Sequence, residues 1–407
     1  MLKKVTVDQL RLGMHIHEFC GSWMDHPFWS ESFKIDTPQL LREVQSCGVR
    51  EVWIDTAKGL DVEASAPTRE EIAARVEDEL MHIEAPPAPA PTIRRPVLLA
   101  EEVRRAAKIC AQGKEQVISM FQEVRMGKAI DHAAAGALVD EISASVMRNP
   151  GALISLARLR SADDYTYMHS VAVCALMVAL ARVLELDEAT TREVGMAGLL
   201  HDLGKALTPP GVLNKPGKLT DEEFVIMKRH PVDGHRLLVE GGAAGEIPRD
   251  VCLHHHEKID GSGYPEGLSG EAISLFAKMG AVCDVYDAIT SNRPYKAGWE
   301  PSESIRRMAE WKGHFDERIF HAFVRSIGIY PVGSLVRLSS GRLGVVIEQS
   351  PQSLLTPKVK VFFSTKSQTY LAPEVVDLSR QPTEKIVGRE EAAKWGIRDV
   401  SRFWAQD

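Results

Sequence analysis

Three consecutive imidazoles, His254, His255 and His256, stand beside Glu257 and just ahead of the stretch DGSGYP. Crowding imidazoles is costly unless something shares their lone pairs, so a divalent metal is the first chemistry to consider, and further ligands must come from elsewhere. Seven of the fourteen histidines fall between positions 169 and 256. His169 sits inside one apolar helical stretch, His201 is followed directly by Asp202 at the end of the next, and His230 ends a later one. Asp284 lies within another apolar helix. A single histidine on an apolar face is an ordinary core residue. A buried carboxylate without a partner costs several kcal/mol and calls for a reason. Helices packed side by side can bring such positions into one cavity, as carboxylate-bridged di-iron bundles do.

The donor set narrows the chemistry. Neutral imidazoles with hard carboxylates suit iron, manganese, nickel or zinc, and the lack of thiolates argues against a structural zinc or cluster site. An aspartate adjacent to a histidine ligand can bridge two ions with its two oxygens. Two ions roughly 3.5–4 Å apart form the usual clamp for phosphoester hydrolysis, one polarising phosphoryl oxygens while a shared hydroxide attacks in line. Cations for the phosphates stand nearby: Lys205 follows the His-Asp pair by one turn, and Arg293 and Lys296 follow Asp284. Lys205 could equally do no more than settle a helix C-terminus.

The elements that must position these residues come next. At 407 residues the chain exceeds one ordinary core, and two or three domains are expected. Apolar content of 44% and charged content of 26% are those of a soluble globular protein, and a net charge of −7 argues against a nucleic-acid polymer as partner. Six scattered cysteines suit a reducing compartment, and the start MLKKVTVDQLRLG has no signal-peptide core. The longest apolar run, VAVCALMVALA (171–181), is shorter than a spanning helix of about 20 residues, so a cytoplasmic chain without membrane insertion is expected.

The expected fold class is mainly α. Residues 1–60 read as a small α/β module, with a helix capped by Thr37, opened by Pro38 and closed by Gly48, then the strand VREVWID. Residues 61–97 read as a Pro-rich linker and 98–160 as a helical connector or dimer helix. A helical core covers 161–330, with one helix stopping at Gly204 and another begun by the Thr220/Glu223 capping box. Residues 331–378 read as a β-hairpin with a short third strand, and 379–407 as a polar tail. His15, His17 and His26 in the first module read as packing and surface residues, not as a second metal site.

With the motifs HDLGK (201–205), HHEKIDGSGYPEGL (255–268) and DVYDAITSNRPYK (284–296) in this order, the region 150–330 resembles the HD-GYP family. These are HD-type helical, metal-dependent phosphohydrolases that act on the bacterial messenger cyclic di-GMP. The N-terminal module resembles, more loosely, a small domain of unknown function often found ahead of them. The resemblance implies one metal held by His169, His201, Asp202 and Asp284, and a second held by Asp202 as bridge with His230, His255 and His256. Iron or manganese is expected, with nickel also accommodated. It implies catalytic roles for Asp202 and Lys205 and substrate contacts from Lys205, Gly263, Tyr264, Arg293 and Lys296. Glu257 would orient a ligand imidazole, and His254 would pack outside the ligand set.

Some members bind a third metal through a glutamate one turn before the first histidine. Here that position is Tyr165, and Asp163 and Asp164 differ from it in helical phase, so two metals are expected. The implied reaction opens cyclic di-GMP to pGpG, with GMP as a further product left open, and lowers a messenger of motility and biofilm formation. A signalling protein could dock on the Gly-Tyr-Pro loop or the N-terminal module, and a homodimer is compatible with the helical connector. Two alternatives stand beside it: hydrolysis of another nucleotide, and a catalytically silent binding module.

Overall fold

Leu2–Thr6 (β1), His15–Phe19 (β2) and Glu51–Asp55 (β4), with the short Phe33–Lys34 (β3), build a first sheet. Its order is β1-β4-β2-β3, every pair antiparallel. The computed structural model describes residues 1–20, 32–47, 49–63, 65–85, 99–158, 165–215, 217, 219–242, 244–292 and 298–404. Pro38–Ser46 (α1) packs Val44 and Leu41 into the core beside this sheet; Thr37 caps it by accepting from the Leu40 amide at 3.2 Å. Gly48 and His26 lie outside the described residues. The module has a core of its own from Val5, Met14, Ile16, Ile35, Val52 and Ile54.

Two expected segment boundaries change. The span expected as linker contains Arg69–Met81 (α2), started by a capping box between Thr68 and Glu71 and burying Ile72, Val76 and Leu80. The expected connector is three helices, Leu99–Arg125 (α3), His132–Arg148 (α4) and Pro150–Arg158 (α5), that belong to the main core. The reason lies in α3: Val103, Ala106, Ile109, Val117, Met120, Phe121 and Val124 recur at helical spacing and are all buried. Glu102 is buried with them, accepting from Arg148 Nε at 2.7 Å and Ser145 Oγ at 2.8 Å, which ties α3 to α4.

At the centre runs Tyr165–Val183 (α6), packed against α3, α4 and α5 and against two later helices, Glu188–Leu200 (α7) and Leu275–Thr290 (α12). Its window Thr166–Val183 has a mean hydropathy of 1.5, enough by length and composition for a membrane span, and 78% of it is buried inside the fold. Packing on all sides accounts for that apolarity. Between α7 and α12 come Pro210–Leu213 (α8), Asp221–Met227 (α9), His230–Glu240 (α10) and Glu246–His254 (α11). Pro301–Glu310 (α13) and Glu317–Ile327 (α14) complete the helical layer, α14 lying on α6 and α12.

The helix expected to stop at Gly204 ends earlier. α7 closes at Leu200 with His201 as its C-cap, and Leu203–Leu207 forms a tighter 3-10 turn. Gly204 serves close approach: a β-carbon there would run into the His230 carbonyl and the Gly234 amide of α10.

The C-terminal part is also more ordered than its sequence suggested. Leu335–Leu338 (β5), Arg342–Glu348 (β6), Lys358–Ser364 (β7), Thr369–Asp377 (β8) and Ile386–Arg389 (β9) form one antiparallel sheet, ordered β8-β7-β6-β5-β9. β9 and two short 3-10 turns fall in the stretch expected as a polar tail. Phe403 stacks on Phe362 and Trp404 is buried, so the chain end is anchored on the sheet.

Candidate metal centre

The helical layer brings seven side chains from five places in the sequence to one point. His169 comes from α6, His201 and Asp202 from the end of α7, and His230 from the first residue of α10. His255 is the C-cap of α11, His256 follows it, and Asp284 sits mid-way along α12. All but His256 are at most 3% exposed, and the His256 side chain retains 12%.

Hydrogen bonds fix how the rings face. Nδ1 of His201 meets the Gly198 carbonyl at 2.8 Å, and Nδ1 of His230 the Met227 carbonyl at 2.8 Å. Nδ1 of His255 meets the Val251 carbonyl at 3.0 Å, and Nδ1 of His169 the Asp287 carboxylate at 2.6 Å. Each acceptor assigns the proton to Nδ1 and leaves the Nε2 lone pair aimed inward. The result is nitrogen facing nitrogen: His169 and His201 Nε2 are 3.3 Å apart, and His230 and His255 Nε2 are 3.4 Å apart. Two lone pairs at such distances repel unless a cation lies between them.

Asp202 stands between the two pairs. Its Oδ2 is 3.4 Å from His201 Nε2 and 3.6 Å from His169 Nε2, while its Oδ1 is 3.3 Å from His230 Nε2 and 3.8 Å from His255 Nε2. Asp284 Oδ1 lies 2.8 Å from His169 Nε2, and Oδ2 lies 3.8 Å from His256 Nδ1. Asp202 Oδ1 and Asp284 Oδ2 are buried with no hydrogen-bond partner. The donors separate into two groups with mutually close ligand atoms, His169–His201–Asp202 and His230–His255–His256. Inward lone pairs, orphaned carboxylate oxygens and two such groups fit a pair of divalent cations.

The two carboxylates agree with that fit. Burial alone would raise the Asp202 pKa, but Lys205 and His201 outweigh it and hold the carboxyl well below its ordinary range. Asp284 is likewise held low against its burial, by the facing rings of His169 and His201. Burial, and then the neighbouring His201 and His230, push His255 down to about 3. Burial would also lower His201, yet Asp202 and Asp284 overcome it and raise it to about 10, so the carboxylates call for positive charge here, carried by a proton on the ring or by a cation in its place. Ions held here would stabilise only the folded chain. Chelation is therefore expected to lower the melting temperature by roughly 5 °C in calorimetry, and an unchanged transition would argue against bound metal.

Around this centre the expected residues are placed unevenly. Lys205 Nζ lies 2.5 Å from Asp202 Oδ2, on the wall of the cluster. The Tyr264 ring stacks on His256, centroids 4.7 Å apart. Gly263 is required by contact, since a β-carbon there would collide with the backbone of His256, Glu257 and Lys258. His254 is outside the ligand set, with Nδ1 2.8 Å from Asp250 and Nε2 3.5 Å from Glu266. Arg293 and Lys296 lie outside the described residues, as do Asp163, Asp164 and the Tyr165 side chain.

Glu257 departs from its expected role. It is buried, and its Oε1 accepts from the Glu266 amide at 2.7 Å and the Gly267 amide at 3.1 Å, so it braces the Gly-Tyr-Pro loop instead of a ligand ring. The carboxylate that does hold an imidazole of the cluster is Asp287, one helical turn after Asp284 and absent from the expected set. Its signal was available: two acids at i and i+3 in an apolar helix share one buried face. Lys228 was also missed. Its Nζ sits 4.9 Å over the Phe224 ring and 5.7 Å over the Tyr264 ring, placing a cation at the rim two residues before His230.

Comparison with known proteins adds independent observations. Residues 2–135 match a domain of unknown function (DUF3391), and residues 146–319 match the HD domain. A cyclic di-GMP phosphodiesterase of Pseudomonas aeruginosa is 56% identical over 406 residues, covering 99% of this chain and 96% of that protein. The cyclic di-GMP phosphodiesterase response regulator RpfG of Xanthomonas campestris is 45% identical over 150 residues, 36% of this chain and 39% of its own. A 3'3'-cGAMP-specific phosphodiesterase of Vibrio cholerae is 36% identical over 166 residues, 40% of this chain and 38% of its own.

Proposed function

This chain belongs to the HD-GYP family of HD-domain phosphohydrolases, and we propose that it hydrolyses cyclic di-GMP to the linear dinucleotide pGpG with the help of two divalent metals. The observation that carries the reading is Asp202, whose two oxygens face two separate histidine pairs at 3.3–3.8 Å. His169, His201, Asp202 and Asp284 would hold one ion, and Asp202, His230, His255 and His256 the other. Ions held there supply Lewis-acid polarisation of a phosphoryl group and activation of a water nucleophile.

The chain's own residues do the rest. Nδ1 contacts to Gly198, Met227, Val251 and Asp287 keep four imidazoles in the ligating tautomer and stop them rotating away. Lys205 puts a positive charge beside Asp202, where charge develops on a phosphoryl group at the cluster. Tyr264 walls the site on the His256 side and offers an aromatic surface to a guanine base. Arg293 and Lys296 are the further phosphate contacts of this proposal.

Iron or manganese suits the nitrogen and carboxylate donors, and nickel is accommodated by the same set. Tyr165 stands in place of a third-metal glutamate, so two metals are proposed, with pGpG the product of the first cleavage and GMP a further product left open. Its consequence is a lower messenger level in the cytoplasm, with effects on motility and biofilm formation.

The likeness to the 3'3'-cGAMP-specific enzyme favours one second reading, cleavage of a hybrid cyclic dinucleotide by the same centre. Offering the metal-loaded full chain both cyclic dinucleotides, and resolving linear from mononucleotide products, separates the two. The expected result is a higher kcat/KM for cyclic di-GMP with pGpG accumulating. Preference for the hybrid substrate would move the assignment to the second reading, and cleavage of neither would leave a binding module.

A further inference from the structure

The N-terminal module touches the Gly-Tyr-Pro loop through Arg50. Arg50 stands immediately before β4, and its Nη1 lies 2.8 Å from Asp260 Oδ2. Its Nη2 donates to the Asp260 carbonyl at 3.3 Å, so one guanidinium holds both the side chain and the backbone of the same residue. Asp260 then organises the loop: Oδ1 accepts from the Ser262 amide at 2.9 Å and from Ser262 Oγ at 2.6 Å. Two residues further on, the Tyr264 amide donates to the His256 carbonyl at 3.2 Å and its ring lies on the His256 ring. Arg50 is thus three contacts away from a ring of the metal centre.

The module is also fixed on the catalytic layer elsewhere, so Arg50 acts from a set position. Arg307 of α13 pairs with Glu18, and Lys4 Nζ donates to the Glu310 carbonyl at 3.0 Å. Near Arg50 the two parts do not close into apolar packing. A cleft separates them, lined by Val49 and Arg50 on one side and by Lys258, Asp260, Ser262 and Trp311 on the other. The polar pair bridges that cleft.

We propose that Arg50 is a positioning residue, through which the N-terminal module sets the Tyr264 loop against His256. The Arg50 side chain is 62% exposed, and exposed pairs contribute little to global stability. The effect belongs to loop geometry, and it rests on the proposed hydrolysis only where activity is read.

Arg50→Glu in the full chain places like charges together at this point. Hydrogen exchange should then quicken at the Tyr264, Glu266 and Gly267 amides, while protection of α6 and α12 stays unchanged. In the same protein kcat/KM for cyclic di-GMP should fall about tenfold with metal content unaltered. Arg50→Lys keeps the charge and should stay within about threefold of wild type. Combining Arg50→Glu with Asp260→Asn removes the repulsion while keeping an oxygen for Ser262, and should recover most of the loss. Wild-type exchange in the loop of Arg50→Glu with kcat/KM within about twofold would overturn the proposal, as would a double variant no better than Arg50→Glu. If the wild-type chain leaves cyclic di-GMP intact, the hydrolysis reading falls, and the exchange arm still decides the role of Arg50.

Discussion

Asp202→Ala is expected to lower turnover of cyclic di-GMP by about a thousandfold or more while the helical fold persists. The two oxygens of Asp202 face both histidine pairs, so its loss deprives each proposed ion of a ligand and removes the bridge between them. A thousandfold corresponds to about 4 kcal/mol of transition-state stabilisation, within what two-metal charge stabilisation supplies. The fold should survive because α6, α7 and α12 are held by a continuous apolar core that does not depend on this carboxylate. Lys205, 17% exposed, would lose its partner but can turn toward solvent. Metal analysis, circular dichroism and an activity assay on one preparation test this together. Retained activity would sink the metal mechanism, and a collapsed fold would mean that Asp202 is first a structural residue.

Asp287→Ala is expected to cost roughly ten- to a hundredfold in metal affinity or activity, although Asp287 is not itself in the ligand set. Its Oδ2 lies 2.6 Å from His169 Nδ1 and holds the proton there, so that Nε2 is left to ligate. Without it the ring, buried from bulk solvent, can exchange tautomers or rotate. Titrating the chelated variant with manganese while following turnover separates affinity from rate. Wild-type affinity together with wild-type kcat would show that α6 packing alone orients His169.

How much of this was legible in the sequence differs by element. The capped helices announced themselves: Thr37 and Thr220 carry the side-chain caps their neighbours implied. The residues of the candidate centre stood out because histidine and aspartate are expensive in apolar helices, a local signal. What they are bonded to was not local. Asp287 looks like any other acid until α6 is laid on α12, and Glu257 looks like a ring partner until Glu266 and Gly267 turn their amides to it.

The same distinction explains the segment boundaries. The α3 to α5 stretch has mixed polarity because one face of α3 joins the core while the other faces water, and a polar-looking helix reads as a connector. β8 is largely exposed along its length and β9 pairs with β5 across about fifty residues, so neither carries the buried alternation by which strands are recognised. Arg50 belongs to this class too. Nothing near it in sequence points to Asp260, 210 residues away.

The central claim is that hydrolysis of cyclic di-GMP by this chain depends on two ions held at Asp202. It is tested most directly by titrating the chelated full-length protein with manganese or, anaerobically, with ferrous iron, and measuring cyclic di-GMP turnover at each addition. The account predicts no turnover before addition and a rise to a plateau at about two equivalents per chain. Full activity in the chelated protein, or a loaded protein that leaves cyclic di-GMP uncut, would contradict it.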